Sequence, residues 1–213
     1  MKALIVYSGG MDSTTLLYQY KDCIRLAVTF TYGARQDAEQ TACARANCAA
    51  LGIEYLVIPL DFMGRYFRSS LLEGGEAIPH GNYDEENMKS TVVPFRNGIM
   101  LSVAVGLAES RDLDTVLIAN HAGDHAIYPD CRPAFVEAMD AAATAGTYEG
   151  VRIVSPYCHM TKREIALAGK ALGVPFEKTY SCYEGRPEHC GLCGTCHERK
   201  EALEGFDPTT YEA

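Results

Sequence analysis

The sequence has no surplus of basic residues. Its 213 residues include 19 Lys and Arg against 28 Asp and Glu, which gives a formal net charge of −9. A broad nucleic-acid surface needs the opposite balance, so we expect no nucleic-acid partner. An anionic ligand would have to be held by a few local cations and by backbone amides.

Long apolar runs are missing as well. The apolar run at 3–7 is too short for the core of a signal peptide, and it ends in Ser8-Gly9-Gly10. No run approaches the roughly 18 apolar residues of a membrane span. We therefore expect a cytoplasmic protein that has no membrane partner.

The chain alternates short β-branched or apolar runs with longer helical stretches. This alternation predicts an α/β fold, an open and mostly parallel sheet with helices on both faces. Ligands bind such folds at the carboxyl ends of the strands. The predicted strands are 3–7, 24–30, 55–59, 115–119 and 151–155, and the predicted helices are 12–20, 36–51, 97–110, 132–143 and 161–172.

Local signals refine this organisation. Thr161 and Glu164 have the spacing of a capping box at the start of the last predicted helix. Residues 61–91 are rich in glycine and polar residues without a steady period, which predicts a mostly irregular insertion, able to serve as a lid. We expect an α/β domain at 1–178 that carries this insertion, and a C-terminal segment at 179–213 packed on it.

The segment Ser8-Gly9-Gly10-Met11-Asp12-Ser13 lies between the first predicted strand and the first predicted helix. Two glycines allow a sharp turn, and the free amides at the start of a helix favour an anion, so phosphate is the expected ligand. The lysine of a Walker loop and the glycine spacing of a dinucleotide fingerprint are both missing. An ordinary strand-to-helix turn, capped by Asp or Ser, is the alternative interpretation.

Four of the nine cysteines, Cys182, Cys190, Cys193 and Cys196, form a C-x7-C-x2-C-x2-C motif. Two residues between cysteines let both sulfurs reach one tetrahedral ion, so the motif predicts a structural Zn²⁺ site. Four thiolates leave no open position for water, and the metal would therefore serve folding rather than chemistry. An iron–sulfur cluster of the bacterial ferredoxin type would need a further cysteine where Lys200 stands.

A second set of polar residues follows two other predicted elements. Arg96 and Asn97 open a helix, and the segment 120–133 follows the buried strand at 115–119. This segment should emerge beside the glycine loop, so its aspartates, histidines, tyrosine and arginine can share one cleft. A solvated loop with a Tyr-Pro-Asp turn is the alternative interpretation.

Together these motifs resemble the 7-cyano-7-deazaguanine synthase family of PP-loop ATP pyrophosphatases. The resemblance covers residues 1 to about 199 and rests on SGGMDS, PFRN, YPDCRP, Lys162 and the cysteine motif. It implies an adenine nucleotide alpha hydrolase-like fold, a homodimer, Mg²⁺ for ATP and a four-cysteine Zn²⁺ site. It also implies the activity: ATP-dependent adenylation of 7-carboxy-7-deazaguanine, amidation by ammonia and dehydration to the nitrile, with release of AMP and pyrophosphate.

The resemblance also implies roles for particular residues. Backbone amides and hydroxyls of the glycine loop would hold the phosphates of ATP, Asp12 would help to hold Mg²⁺, and Lys162 with Arg96 would offset charge in the adenylation transition state. The predicted catalytic residues are Asp12, Ser13, Arg96 and Lys162, the predicted ATP-binding residues are Ser8, Gly9, Gly10, Asp12 and Ser13, and the predicted substrate-binding residues are Arg35, Arg96, Asn97, Asp124, Tyr128, Asp130 and Arg132.

The chain departs from the family pattern near the expected substrate. Where the family commonly reads FDYGQRH, this chain reads FTYGARQ, so Thr31, Ala34 and Gln36 replace Asp, Gln and His. Ala126-Ile127 also differs, and the spacer between the first two cysteines of the motif is about one residue short. These changes leave open a product that stops at the amide, or an amine acceptor larger than ammonia, including one on a partner protein.

Two further hypotheses about the function remain open at this point. One is a PP-loop enzyme that modifies RNA, which the acidic charge disfavours. The other is a non-catalytic binding module stabilised by zinc, which leaves the SGGMDS loop unexplained.

Overall fold

Five parallel strands form the centre of the protein. The computed structural model describes the backbone of residues 1–213 and every side chain except that of Glu85. The strands are β1 (Ala3–Val6), β2 (Ile24–Thr31), β3 (Glu54–Pro59), β4 (Thr115–Leu117) and β5 (Arg152–Val154). They pair in the order β3-β2-β1-β4-β5. The predicted parallel sheet is confirmed, and each strand lies within two residues of its predicted bounds.

The five predicted helices are also confirmed, each within three residues of its predicted ends. Three further α-helices, α3, α4 and α8, were not predicted. The helices are α1 (Met11–Gln19), α2 (Asp37–Leu51), α3 (Asp61–Tyr66), α4 (Glu85–Met88), α5 (Arg96–Ser110), α6 (Pro133–Gly146), α7 (Lys162–Ala171) and α8 (Gly194–Ala202).

The sheet is buried on both faces because successive side chains of a strand point in opposite directions. On β1, Leu4 pairs with Leu26 and Val116, and these residues share a core with α5 and α6. Ile5, the next residue, belongs to a second core with α1, α2 and α7. The helices therefore cover both faces, as the near-continuous apolar runs of the strands predict.

The strand order places a switch point between β1 and β4. The chain winds outward from β1 through β2 to β3, and it then returns to the other side of β1 with β4. In doubly wound sheets, a crevice forms at the carboxyl ends of the two strands where the winding reverses. The glycine loop follows β1 and the 118–132 segment follows β4, so both reach this crevice.

The insertion at 61–91 contains more structure than the sequence predicts. It holds α3, α4 and a short 3-10 helix at Lys89–Thr91. Met63, Leu71 and Leu72 are buried in the core on the α5 side of the sheet. Helix α3 was missed because Met63 is its only fully buried residue, and a single apolar contact produces no helical period.

The C-terminal segment is joined to the sheet domain through Arg199, a fully buried residue of α8. Its guanidinium donates hydrogen bonds to the carbonyl of Phe176 at 2.7 Å, to Thr179 Oγ1 at 2.9 Å and to Thr209 Oγ1 at 2.8 Å. A buried guanidinium is tolerated only when such acceptors replace water. Among the described residues, no helix combines the length and apolar character that a membrane crossing requires.

The capping box at the start of α7 is confirmed, and it yields a stability prediction. Thr161 accepts from the backbone amide of Glu164, whose carboxylate accepts from the amide of Thr161. We expect Thr161→Ala to lower the free energy of unfolding by about 1 kcal/mol, because an amide of the first turn loses its partner. Urea denaturation measures this change. Thr210→Ala, at an exposed threonine, is the control, and an equal loss in both variants would contradict the prediction.

Candidate active site

A cavity opens at the carboxyl ends of β1 and β4. It is lined on one side by the glycine loop, including Ser8, Gly10, Asp12 and Ser13. The opposite side comes from the starts of α5 and α7 and from the segment after β4. The residues that line it from there include Arg96, Asn97, Met100, His121, Asp124 and Lys162. The topology thus brings together elements that lie far apart in the sequence.

The glycine loop is held in shape by close packing and by its own serines. Gly9 has a φ of +83°, and a Cβ at this position would collide with the carbonyl oxygen of Gln40. Ser8 Oγ lies 3.0 Å from Ser13 Oγ and accepts a hydrogen bond from the amide of Gly10 at 3.1 Å. These contacts leave the first-turn amides of α1 free to face an anion.

Lys162 bridges two carboxylates at the edge of the cavity. Its Nζ lies 2.7 Å from Glu198 Oε2 and 3.2 Å from Asp12 Oδ2. Burial by itself lowers the pKa of Lys162, but the charges of Asp12 and Glu198 outweigh it, and the pKa lies above its ordinary value. Burial raises the pKa of Glu198, and the charge of Lys162 opposes that rise. Lys162 is therefore held as a cation beside the loop.

One carboxylate oxygen of Asp12 lacks a hydrogen-bond partner among the described residues. Oδ2 pairs with Lys162, whereas Oδ1 is buried and has no hydrogen-bond partner among the described residues. A buried carboxylate oxygen without a donor is costly unless a ligand satisfies it. A hard cation such as Mg²⁺ prefers carboxylate oxygen, so Asp12 Oδ1 fits a metal that would accompany a nucleotide.

The segment after β4 carries a histidine between acidic groups. His121 is buried, and its Nδ1 accepts from the amide of Gly123 at 3.1 Å, which fixes the ring. Its Nε2 lies 3.5 Å from Asp124 Oδ1 and 3.8 Å from Glu198 Oε1. The hydroxyl of Tyr83 donates to Asp124 Oδ1 at 3.0 Å. This cluster therefore continues the charged network that begins at Asp12.

The start of α5 positions Arg96 and Asn97. The guanidinium of Arg96 donates to the hydroxyl of Tyr32 at 3.0 Å. Asn97 donates its backbone amide to Asp130 Oδ2 at 2.8 Å and its side-chain amide to the carbonyl of Asp130 at 3.0 Å. Asp130 thus joins the segment after β4 to the first turn of α5.

The lining of the cavity differs from the predicted set at five residues. Gly9, Arg35, Tyr128, Asp130 and Arg132 do not line it. Gly9 packs against the carbonyl of Gln40, and Asp130 accepts a hydrogen bond from the amide of Asn97, as described above. Direct substrate contact by Arg35, Tyr128, Asp130 and Arg132 stays a prediction.

The other three each make a side-chain hydrogen bond within the protein, although Arg35 Nε is buried without a partner among the described residues. Arg35 donates to the carbonyls of Gly75 and Glu76, in the insertion. The hydroxyl of Tyr128 lies 2.8 Å from Thr91 Oγ1, and Arg132 Nε donates to the carbonyl of His125 at 2.9 Å. These side chains brace the loops around the cavity.

The four cysteines of the C-terminal motif form one cluster. Their sulfurs all lie within 4.8 Å of one another, and all four residues are buried. Sulfurs around one tetrahedral metal ion lie about 3.8 Å apart, so the cluster fits such an ion after small side-chain movements. The backbone amides of Leu192 and Cys193 point at Cys190 Sγ, at 3.4 and 3.3 Å. Amide donors of this kind often accompany sulfurs that bind a metal.

Comparison with known proteins places the chain in a family. The model of the family described as "Queuosine biosynthesis protein QueC" matches residues 2–207. The chain belongs to the QueC family. Curated relatives named 7-cyano-7-deazaguanine synthase include one from Porphyromonas gingivalis, 57% identical over an alignment of 213 residues that covers 99% of this chain and 97% of the relative. Another, from Desulfotalea psychrophila, is 49% identical over 214 residues, covering 98% of both chains.

One solved structure supports the fold assignment. The NMN synthetase of Francisella tularensis superposes with a TM-score of 0.53 at 15% identity, over 98% of this chain and 79% of that protein. At this identity the likeness concerns the fold alone. The predicted α/β architecture is confirmed for this QueC family member.

Two members of the charged network were missed by sequence reasoning. Glu198 stands two residues after Cys196, in a stretch where the sequence predicted no helix. Tyr83 lies in the polar part of the insertion, 41 residues before its partner Asp124. No spacing rule connects such residues, because their contacts depend on how α8 and the insertion pack on the sheet.

The network predicts a pH-dependent loss of stability in a QueC chain that lacks Lys162. We expect Lys162→Met to lower the free energy of unfolding at pH 7 by about 3 kcal/mol, because two largely buried carboxylates lose their cation. Burial raises the folded-state pKa of Glu198, so the folded variant binds protons more readily than the unfolded chain. The loss should therefore shrink as the pH falls from 7 to 5.

Urea denaturation at both pH values measures this effect. Lys178→Met, at an exposed lysine, removes the same charge and is the control. The prediction would be contradicted if Lys162→Met and Lys178→Met lowered the free energy of unfolding equally. It would also be contradicted if the loss in Lys162→Met grew as the pH fell.

Proposed function

We propose that this protein is a 7-cyano-7-deazaguanine synthase, an ATP-dependent carbon–nitrogen ligase. Its substrates would be 7-carboxy-7-deazaguanine, ammonia and ATP, and its products the nitrile, AMP and pyrophosphate. The observation that carries the proposal is the convergence of the glycine loop, Lys162 and the segment after β4 on one cavity, in a chain of the QueC family.

In the first step, a carboxylate oxygen of the substrate attacks the α-phosphorus of ATP, and pyrophosphate leaves. The free amides at the start of α1, with Ser8 and Ser13, would hold the leaving pyrophosphate. Lys162 and Arg96, both at the cavity, would offset the charge that builds up on the phosphate oxygens. The loop needs no Walker lysine, because Lys162 reaches it from α7.

Mg²⁺ fits this arrangement through Asp12, whose unpartnered Oδ1 is the donor that such an ion prefers. When bound, Mg²⁺ would neutralise charge on the phosphate oxygens of ATP. Lys162, fixed by Glu198, holds the other oxygen of Asp12 in place and so orients the carboxylate.

The second step needs ammonia in its neutral form. Its nitrogen attacks the acyl carbon of the adenylate, and AMP leaves as the amide forms. A second ATP then activates the amide oxygen with release of a second pyrophosphate, and loss of AMP and of both protons on the nitrogen gives the nitrile. His121, Asp124 and Glu198 offer a site beside the loop that can take up the protons released from the nitrogen.

The nitrile is the product that the geometry favours. Of the substituted residues, only Gln36 lines the cavity, and Thr31, Ala34, Ala126 and Ile127 do not. The departures therefore alter the reaction site less than their position in the sequence suggests. A reaction that stops at the amide, or that uses a larger amine on a partner protein, remains the alternative outcome of the product test.

We assign zinc to the four cysteines on the basis of their soft thiolate donors and mutual distances. Four thiolates complete the coordination of Zn²⁺, so the ion would stabilise the fold of the C-terminal segment. A cytoplasmic homodimer completes the proposal by resemblance to the family.

The reaction itself provides the first test. Purified protein given 7-carboxy-7-deazaguanine, ATP, Mg²⁺ and ammonium should form the nitrile together with AMP and pyrophosphate, as followed by mass spectrometry. Asp12→Asn should lower the turnover by about 100-fold or more, the scale expected for one preorganised electrostatic contact.

Asp22→Ala, at an exposed loop position, should keep wild-type turnover and is the control. ADP as the only nucleotide product, or no adenylation of this acid at all, would refute the proposal. Accumulation of the amide without the nitrile would favour the alternative product.

The zinc assignment yields a separate prediction. Cys193→Ser should lower both the bound zinc and the melting temperature, because the binding energy of a structural metal contributes to folding. Elemental analysis and thermal denaturation measure the two effects. Cys23→Ser lies outside the cluster and should change neither. A stable protein that holds no metal, or one that holds iron and sulfide, would overturn the assignment.

A further inference from the structure

Gln36 has a buried side-chain amide whose oxygen bonds to no other described residue of the protein. It lies just before α2, and only 2% of its surface is exposed. Its Oε1 is buried and has no hydrogen-bond partner among the described residues, yet the residue lines the cavity. A buried acceptor without a donor destabilises a protein, so its presence at a cavity points to a ligand that supplies one.

The surrounding turn does not need this side chain. The carboxylate of Asp37 accepts from the backbone amides of Tyr32, Gly33 and Ala34, at 2.8 to 3.0 Å. Gln36 precedes the helix but makes no side-chain capping bond. The local backbone is therefore satisfied by Asp37, which leaves Gln36 without a structural task.

The cavity that Gln36 lines also has apolar and aromatic lining residues. Phe30, Tyr32 and Met100 line the same cavity, and the hydroxyl of Tyr32 is held by Arg96. The first turns of α2 also touch the glycine loop, because the carbonyl of Gln40 packs against Gly9. A planar base bound here could stack on apolar side chains while its edge faces an amide oxygen.

We propose that Gln36 Oε1 accepts a hydrogen bond from an N–H donor on a heteroaromatic base bound in this cavity, and so selects that base. This inference rests on the proposed function. Two bases of the reaction carry such a donor: the amino group of adenine in ATP, and the amino-lactam edge of the deazaguanine acid. The chemistry recognised is the same for both, and binding measurements distinguish them.

The test compares wild type with Gln36→Met, which keeps the length of the side chain but removes both polar atoms. Titration calorimetry with ATP and Mg²⁺, and separately with 7-carboxy-7-deazaguanine, should show about tenfold weaker binding of one ligand, the effect of losing one buried hydrogen bond. The affected ligand identifies the base. The melting temperature of the free variant should equal or exceed that of wild type, because an unpartnered buried acceptor has been removed.

Thr41→Val is the matched control. Thr41 lies on α2 and its Oγ1 is also buried without a partner among the described residues, but the residue does not line the cavity. Loss of the Thr41 hydroxyl should leave the affinities for both ligands unchanged.

If Gln36→Met binds each ligand as tightly as the wild type does, the inference is wrong while the proposed function stands. A variant with a clearly lowered melting temperature would also overturn it, since Gln36 would then have a structural task. If wild type binds neither ligand, the inference and the proposed function fail together.

Discussion

The ion pairs of Lys162 hold the functional part of this protein together. One side chain, at the first residue of α7, joins Asp12 in the glycine loop to Glu198 on α8. The capping box of α7 fixes where that helix begins, and therefore where Lys162 points. Because α8 also carries Cys196, the four-cysteine cluster and the glycine loop are parts of one connected unit. The helix that carries one of the four cysteines thus also supplies a residue that shapes the cavity.

A second set of contacts supports the opposite side of the cavity. Asp130 holds the first turn of α5 through Asn97, and Tyr128 joins the segment after β4 to the insertion through Thr91. Each of these polar groups is satisfied inside the protein, which allows it to be buried without a ligand. Gln36 and Asp12 differ, because each keeps a buried oxygen without a partner at the cavity.

Much of the fold could be predicted from the sequence because its signals are local. Apolar runs of four to eight residues between helical stretches were enough to locate all five strands, and Thr161 with Glu164 correctly predicted the start of α7. Helix α8 was missed because its nine residues carry mostly polar side chains and its buried face includes Cys196 and Arg199. Its helical state depends on packing against the rest of the chain, which a periodicity argument does not register.

The sequence by itself determined the chemistry of the site: a glycine loop that suits phosphate, a four-cysteine motif that suits a metal, and motifs of the QueC family. Tertiary structure decided which polar residues face the cavity. Motif residues such as Asp124 and Asp130 look equivalent in the sequence, yet only Asp124 lines it. Glu198 carried no signal of its own, because its role depends on the elements that pack around it. Motifs record residue types and spacing along the chain, whereas burial and hydrogen-bond satisfaction depend on neighbours that are distant in sequence and adjacent in space.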